Sequence, residues 1–570
     1  MRSSLRRALL GAAALLVAGP VLAGSGSKGS KDSADRVFLG GKVWTGVPGA
    51  PFAEAIAVRG SQILEVGKSA DLLRLVDKKI TDVVQLKGRL VVPGFIDAHV
   101  HFLSGSLGLS RVDLSDAEDV EQVQRKLLAF AEKNPGDDWI VGRGWHYSTF
   151  EGGLPHRQYL DGILASRPVF LVSYDGHTAW CNSRALELAR VGRLSPEPPG
   201  GQIVRDPDGE PTGVLKEAAA DLVRQALPEL AEEENYRALK RGMAKAAQAG
   251  VTSVHNAGMS LDELPLFERA LSEGELKVRF YQALPLEKDP TEAKLQTVRG
   301  LRDRYAGPLL RFGAVKGYLD GVVESRTAAM FEPLTGGGNA QPLFTPEQLQ
   351  RAVTVYDKEG FQIELHAIGD QAIAMALDAY EAAAKANGTA GKRRHRIEHV
   401  EVPRLSDLPR FKALGVIAST QALFAEPDRN HLEVYVPALG PERAARAMPF
   451  KAIDDAGAVQ AFGSDWPVYP LDPLRGIHVA VNRTTPDGLP PGGWQPAQRI
   501  AAEAALRHFT VDAAYASFEE GNKGKLAGGT LADFVVLSQD ILTIPGDQIA
   551  KTKVLLTVMG GQDSYRAREY

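Results

Sequence analysis

Eight short apolar runs, each closed by a polar or glycine-containing turn, recur between residues 91 and 467. They read VVPGFIDAHVHF (91–102), GVTSVHNAG (250–258), KVRFYQAL (277–284), LLRFGAVKGYLD (309–320), FQIELHAIGD (361–370), HRIEHVEV (395–402), GVIASTQ (415–421) and VQAFGSDWP (459–467). Stretches with helical spacing separate several of them. One is TPEQLQRAVTVYDKEG before the fifth run, where Thr345, Pro346 and Gln348 form a helix start and Gly360 a stop. Strands alternating with helices predict a parallel sheet, and eight such units predict an α/β fold built on a TIM-like (β/α)8 barrel over residues 93–499. The first two runs lie more than twice as far apart as most neighbours, so residues 104–232 are expected to be a large insertion after strand 1, with strand-like pieces WIVGRGWHY and PVFLVSYDGHTAW. Short β-like runs broken by glycines fill residues 36–92, and a related texture returns in 500–570 as ADFVVLSQDIL and KVLLTVMGGQ. The two ends are therefore expected to build one small β-sandwich.

The amino terminus has another pattern. Arg2, Arg6 and Arg7 precede an apolar run from Ala8 to Ala18, and VLA at 21–23 offers a small-residue cleavage site. That is the layout of a secretory signal peptide over residues 1–23, followed by a flexible leader at 24–35. An exported protein, periplasmic or extracellular, is expected, by the general secretory route rather than the twin-arginine one. The formal charge of -4 argues against nucleic acid as the main partner, and cleavage would take it to -7. No later stretch is long and apolar enough for a membrane anchor in the mature chain. Self-association as a homo-oligomer is left open. With Cys181 as the single cysteine, an internal disulfide is excluded.

Candidate chemistry collects where the runs end. Alternation along a strand places Asp97, His99 and His101 on one side of the first run. The fourth run carries Lys316, the fifth His366, the sixth His399 and the eighth Asp465. Barrel chemistry sits at the C-terminal ends of the strands, so four histidines, a lysine and an aspartate occupy corresponding positions. Each alone reads as a solvated or capping residue; together they require several coincidences.

The order H-x-H, Lys, His, His, Asp resembles the binuclear amidohydrolase superfamily, and its details resemble amidohydrolase family 3, the YtcJ-like hydrolases that include N-substituted formamide deformylase. PGFIDAHVH, GRGWH, DGHTAWCNSRAL, KGYLDG, SRTA, LHAIGDQAI, RIEH, FGSDWPV and GKLAGGTLADFVVL carry the resemblance, from about residue 36 to 545. Where the family pattern has Asp after GRGW, this chain has His146. The resemblance implies two divalent ions, zinc in the first place with manganese or iron as alternatives. His99, His101 and Asp465 would hold one, His366 and His399 the other, and an N6-carboxylated Lys316 would bridge them. It implies hydrolysis by metal-activated hydroxide with Asp465 as the proton carrier.

A small-molecule amide is the expected substrate, cleaved at a C–N bond of an amide, N-formyl or N-acyl amine. A cyclic amide, carbamate or ester on the same scaffold is the alternative, and a catalytically dead binding protein the alternative of another class. His146, His177, Trp180, Asn182 and Arg326 are candidate substrate contacts, with Asp175 and Asn182 also good turn and cap residues. Asp97 and Asp320 are candidates to support the ligands from behind, and His255 lies behind the ligands without a role of its own. His156, His395, His431, His478 and His508 receive no role. A serine or cysteine hydrolase is disfavoured, because no G-x-S-x-G elbow occurs.

Overall fold

A computed structural model describes residues 33–136, 138–338 and 340–570; the expected signal peptide and most of the leader lie outside the described residues. Its centre is an eight-stranded parallel sheet. We number its strands β1 (Phe95–Val100), β2 (Val251–Asn256), β3 (Arg279–Pro285), β4 (Leu310–Tyr318), β5 (Gln362–Ala367), β6 (Arg396–His399), β7 (Ile417–Gln421) and β8 (Gln460–Gly463). Neighbours in the sheet follow chain order, and every pairing is parallel. The sheet nearly closes on itself. Past β8, the Asp465 N–H donates to the His99 carbonyl at 2.7 Å and the His101 N–H to the Trp466 carbonyl at 2.7 Å. All eight expected strands are present, and the barrel is as read.

Local rules account for the helices between strands. Pro346–Lys358 starts with the Thr345–Gln348 capping box and Pro346 in its first turn, and Gly360 takes a positive φ of 85° just beyond it. Its apolar face, with Leu349, Ala352, Val353 and Tyr356, joins the large core around the barrel.

The first apolar run is not one strand. Leu90–Pro93 leaves the barrel and pairs with Phe534–Leu537 and Lys42–Trp44, while Phe95–Val100 enters it. Gly94 makes this possible, since a Cβ there would sit 2.2 Å from the Thr252 hydroxyl oxygen. Strands from the two ends of the chain share a six-stranded sheet, and a four-stranded sheet of residues 36–85 shares a core with it, where Phe38 meets Phe534 edge-on at 4.9 Å.

Residues 112–217 form a separate six-stranded sheet with apolar clusters of its own. PVFLVSYDGHTAW, expected as one strand-like piece, is two antiparallel strands, Val169–Ser173 and Thr178–Cys181. Asp175 forces the turn by accepting from the Ser173 hydroxyl and the His177 N–H. Beyond Gln498, Ala513, Ala514 and Ala516 pack on Ile96, Ala98, Ile417 and Ala461 of the barrel strands. Among the described residues no helix is long and apolar enough to cross a membrane.

Candidate metal centre and active site

The strand ends converge. His99 Nε2 lies 3.5 Å from Asp465 Oδ1 and 3.5 Å from Lys316 Nζ, and His101 Nε2 lies 3.4 Å from the same Asp465 oxygen. The His99 and His399 rings are 5.0 Å apart and those of His399 and His366 4.4 Å. Ligand atoms of His99, His399 and Asp465 all fall within 4.8 Å of one another. Three of the six expected ligands, His99, His399 and Asp465, thus form a compact group, with His101 and Lys316 beside it and the His366 ring against that of His399.

In three of the four rings the second nitrogen is tied down, which fixes the first. His99 Nδ1 meets Glu398 Oε2 at 2.5 Å, His399 Nδ1 meets Gln421 Oε1 at 2.8 Å, and His366 Nε2 meets the Gly321 carbonyl at 3.2 Å. Such contacts select the tautomer and orient the free lone pair. Burial, followed by neighbouring positive groups, lowers His99, His366 and His399 well below the ordinary imidazole range and His101 to about 3. All four are therefore neutral, the form that binds a cation. Burial raises the Asp465 carboxyl to about 7, and its Oδ1 makes no hydrogen bond. Lys316 is 2% exposed and, among the described residues, forms no ion pair. Neutral imidazoles, an orphaned carboxylate oxygen and a buried amine without a counter-ion form a donor set that fits a divalent ion.

The two acids expected behind the ligands behave differently. Asp320 lies 3.6 Å from His366 Nε2 and accepts backbone N–H groups of Ala329, Ile368 and Gly369, so it fixes the loops that carry the ring. Asp97 braces backbone rather than a ring. Its Oδ1 accepts from the Ser464 N–H at 2.8 Å and the His99 N–H at 3.3 Å, tying β1 to β8.

A cavity opens beside Asp465, His366 and His399. His177 lines it, as expected of a substrate contact. Burial opposes its charge, but Glu217 at 2.8 Å prevails and carries the imidazole up to about 9. The structure places the other four candidates outside the cavity lining. His146 stacks on Tyr174 at 4.7 Å, with Nε2 3.1 Å from the Ser115 carbonyl, behind the cavity wall. Trp180 is fully buried among Trp145 and Phe150 in the core of the inserted sheet. Asn182 caps the helix Ser183–Leu188, its Oδ1 accepting from the Ala185 N–H while Nδ2 donates to the Leu164 and Arg167 carbonyls. Arg326 is exposed and donates to the carbonyls of Thr335 and Gly337. These side chains were near the right motifs in sequence, but backbone groups take the polar atoms of Asn182 and Arg326 and the His146 Nε2, and apolar packing buries Trp180.

What the motifs missed is the rest of the wall. Tyr174, Glu324, Glu401, Phe424, Tyr435 and Tyr469 line the cavity, and Glu398 orients His99 from within the same RIEH string that supplies His399. That string held the available signal: alternation puts Arg396 and Glu398 on one side of β6.

The family model described as the amidohydrolase family matches residues 82–565. The chain belongs to the amidohydrolase family. It is 34% identical over 550 residues to protein LONG AFTER FAR-RED 3 of Arabidopsis thaliana, covering 93% of this chain and 92% of that protein. It is 28% identical over 537 residues to the putative amidohydrolase YtcJ of Bacillus subtilis (93% and 99% covered) and 27% over 536 residues to N-substituted formamide deformylase of Arthrobacter pascens (89% and 94% covered). The YtcJ-like resemblance read from the motifs therefore stands. Among solved structures, an uncharacterized metal-dependent hydrolase from Pyrococcus horikoshii OT3 superposes with a TM-score of 0.71 at 26% identity, covering 90% of this chain and 99% of that one. Family and neighbours together support a hydrolase.

Proposed function

We propose that this amidohydrolase is a metal-dependent hydrolase of C–N bonds in small amides, N-formyl amines or N-acyl amines, acting after export. The observation that carries the reading is the grouping of His99, His399 and an unpartnered Asp465 oxygen, with neutral His101 and His366 and an unpaired Lys316 beside them, next to a cavity. His99, His101 and Asp465 would hold one ion and His366 and His399 a second, with Lys316, carboxylated on its amine, between them. Divalent ions there would supply Lewis-acid polarisation of a carbonyl and acidify water near neutral pH. The chain's own residues do the rest. Asp465, with a raised carboxyl, takes a proton from the attacking water and returns it to the leaving nitrogen. His177, held protonated by Glu217, lies with its ring 5.5 Å from that of His366 and donates a hydrogen bond to the carbonyl oxygen as charge grows on it. The aromatic wall excludes bulk water. The likeness to N-substituted formamide deformylase favours N-formyl and N-acyl amines as first substrates.

The test is elemental analysis of protein purified without chelators, wild type against Lys316→Ala, followed by a panel of N-formyl and N-acyl amines. About two equivalents of metal in wild type and clearly fewer in the variant are expected. No metal in a folded wild-type protein, or metal with no amide turned over across the panel, would overturn the reading.

A further inference from the structure

Beyond the bond to be cleaved, the cavity wall carries information about what the substrate bears. Glu401 is 4% exposed and lines the cavity, and its Oε2 makes no well-formed hydrogen bond. The neighbouring Tyr435 hydroxyl is the donor that faces Glu401, and among the described residues it has no other partner. His431 Nε2, on a ring stacked 4.8 Å from Tyr435, is likewise buried without a hydrogen bond. Glu324 faces the same cavity and takes the Tyr174 hydroxyl as its donor. Among the described residues neither Glu324 nor Glu401 has an ion-pair partner, and no lysine or arginine lines the cavity. The His177 charge does not answer them, because Glu217 already pairs with it, and burial holds the His431 imidazole down to about 3, hence neutral.

Buried polar atoms left without partners are uncommon in folded proteins, and carboxylates left without a cation more so. Two acids without an ion-pair partner, beside the unpartnered His431 Nε2, give this cavity a wall complementary to a cation. Its outline is further given by aromatic faces. From the metal ligand His399 the wall runs to Phe424, stacked at 5.7 Å, then to Tyr469 at 5.2 Å, then to Tyr174 at 6.2 Å, whose hydroxyl reaches Glu324. Aromatic faces beside carboxylates attract alkylammonium groups, through the ring quadrupole on one side and the charge on the other.

We infer that the substrate is a cationic amide, with an ammonium or guanidinium group seated among Glu401, Glu324 and the faces of Phe424, Tyr435 and Tyr469 while its amide meets the metal centre. The amide half of this statement rests on the function proposed above; the cation half rests on the cavity wall alone. Burial pushes the Glu324 carboxyl up to about 7, as expected of an acid that lacks its counter-ion.

The experiment has two arms, both on metal-loaded full-length protein. In the first, mono-N-formyl and mono-N-acetyl diaminoalkanes of graded chain length are compared with neutral N-alkyl amides of the same length. The cationic member of a matched pair should have a kcat/KM at least about 30-fold higher, the scale of a desolvated charge pair. Glu401→Gln and, separately, Glu324→Gln should bring that ratio toward one. In the second arm, calorimetry compares pentylamine with pentanol, with no turnover required; the amine should bind to wild type and lose affinity in both variants. Turnover of neutral amides with no preference for the cation, and no selective binding of pentylamine, would overturn the cation site and leave the hydrolase reading standing. Selective binding of pentylamine without turnover of any amide would do the reverse.

Discussion

Replacing Glu398 with Gln isolates the contact that aims His99. The carboxylate and the imidazole are both fully buried, 2.5 Å apart, in a charge-assisted hydrogen bond. Gln keeps the shape and one acceptor but removes the charge. A hydrogen bond to a charged group contributes about 1.5–3 kcal/mol, a neutral one about 0.5–1.5, so the ligand loses about 1–2 kcal/mol of orientation and basicity. At about 1.4 kcal/mol per decade this is roughly a 5- to 30-fold loss of metal affinity, overlapping the 10- to 100-fold typical of such supporting residues. The fold should suffer less than burial suggests. Arg396 now shares two carboxylates, Glu364 at 3.0 Å and Glu398 at 2.8 Å, and it also donates to the Ala98 carbonyl and, at 2.8 Å, to the Ser419 hydroxyl. Removing one acid leaves one cation with one anion, whereas removing Arg396 would leave two buried anions, a change on the scale of 3–5 kcal/mol or more. Metal-free protein titrated with zinc against a chromophoric chelator gives the affinity, and circular dichroism and denaturant unfolding give the fold. An unchanged zinc affinity in a natively folded Glu398→Gln protein would refute the argument that this contact aims a ligand.

Two other outcomes follow from the same structure. His508 is buried between Asp454 at 3.3 Å and Asp512 at 2.9 Å; burial opposes its charge, but the two acids carry it from 6.5 to about 9. The folded state therefore holds this proton more tightly, and its stabilisation, on the order of 3 kcal/mol, is complete below pH 6.5 and lost as pH rises through 9. In unfolding titrations across that window His508→Gln should flatten the fall; an unchanged slope would refute the assignment. Asn182→Ala removes a helix cap and three further buried hydrogen bonds, so stability should drop by about 2 kcal/mol or more with kcat/KM unchanged, whereas a selective loss of kcat/KM would return Asn182 to the substrate site.

The barrel and the candidate metal ligands were legible for the same reason. A buried parallel strand is a dense apolar run, and a histidine, lysine or aspartate at its end interrupts that run in a way one-dimensional reading detects. The cavity wall leaves no such trace. Tyr174 belongs to the turn between two strands of the inserted sheet, Phe424 and Tyr469 to segments following β7 and β8, and Glu324 and Glu401 to segments following β4 and β6. No period links them, and only closure of the barrel sets them around one cavity. The opposite error arose where a motif promised contact. Trp180, Asn182 and Arg326 share strings with features of the family, yet nearest-neighbour backbone groups and apolar packing use them up.

Alternation along a strand, the tool that grouped Asp97 with His99, also has a physical limit at these strand ends. His399 and Asp465 adopt positive φ values of 78° and 56°, a region that disfavours residues with a Cβ by about 1–2 kcal/mol. At such a residue the chain leaves the pleat, so its side chain need not follow the two-residue rule. Neighbouring geometry holds the bend at Asp465 in place: the Asp465 N–H bonds to the His99 carbonyl, and Gly463, where a Cβ would lie 2.6 Å from the His99 nitrogen, lets β8 approach β1 closely. Glycine would relieve the bend at 399 or 465 but would supply no ligand atom. The chain therefore keeps histidine and aspartate in backbone conformations they disfavour, and residues that merely decorated a strand end would have no such reason to stay.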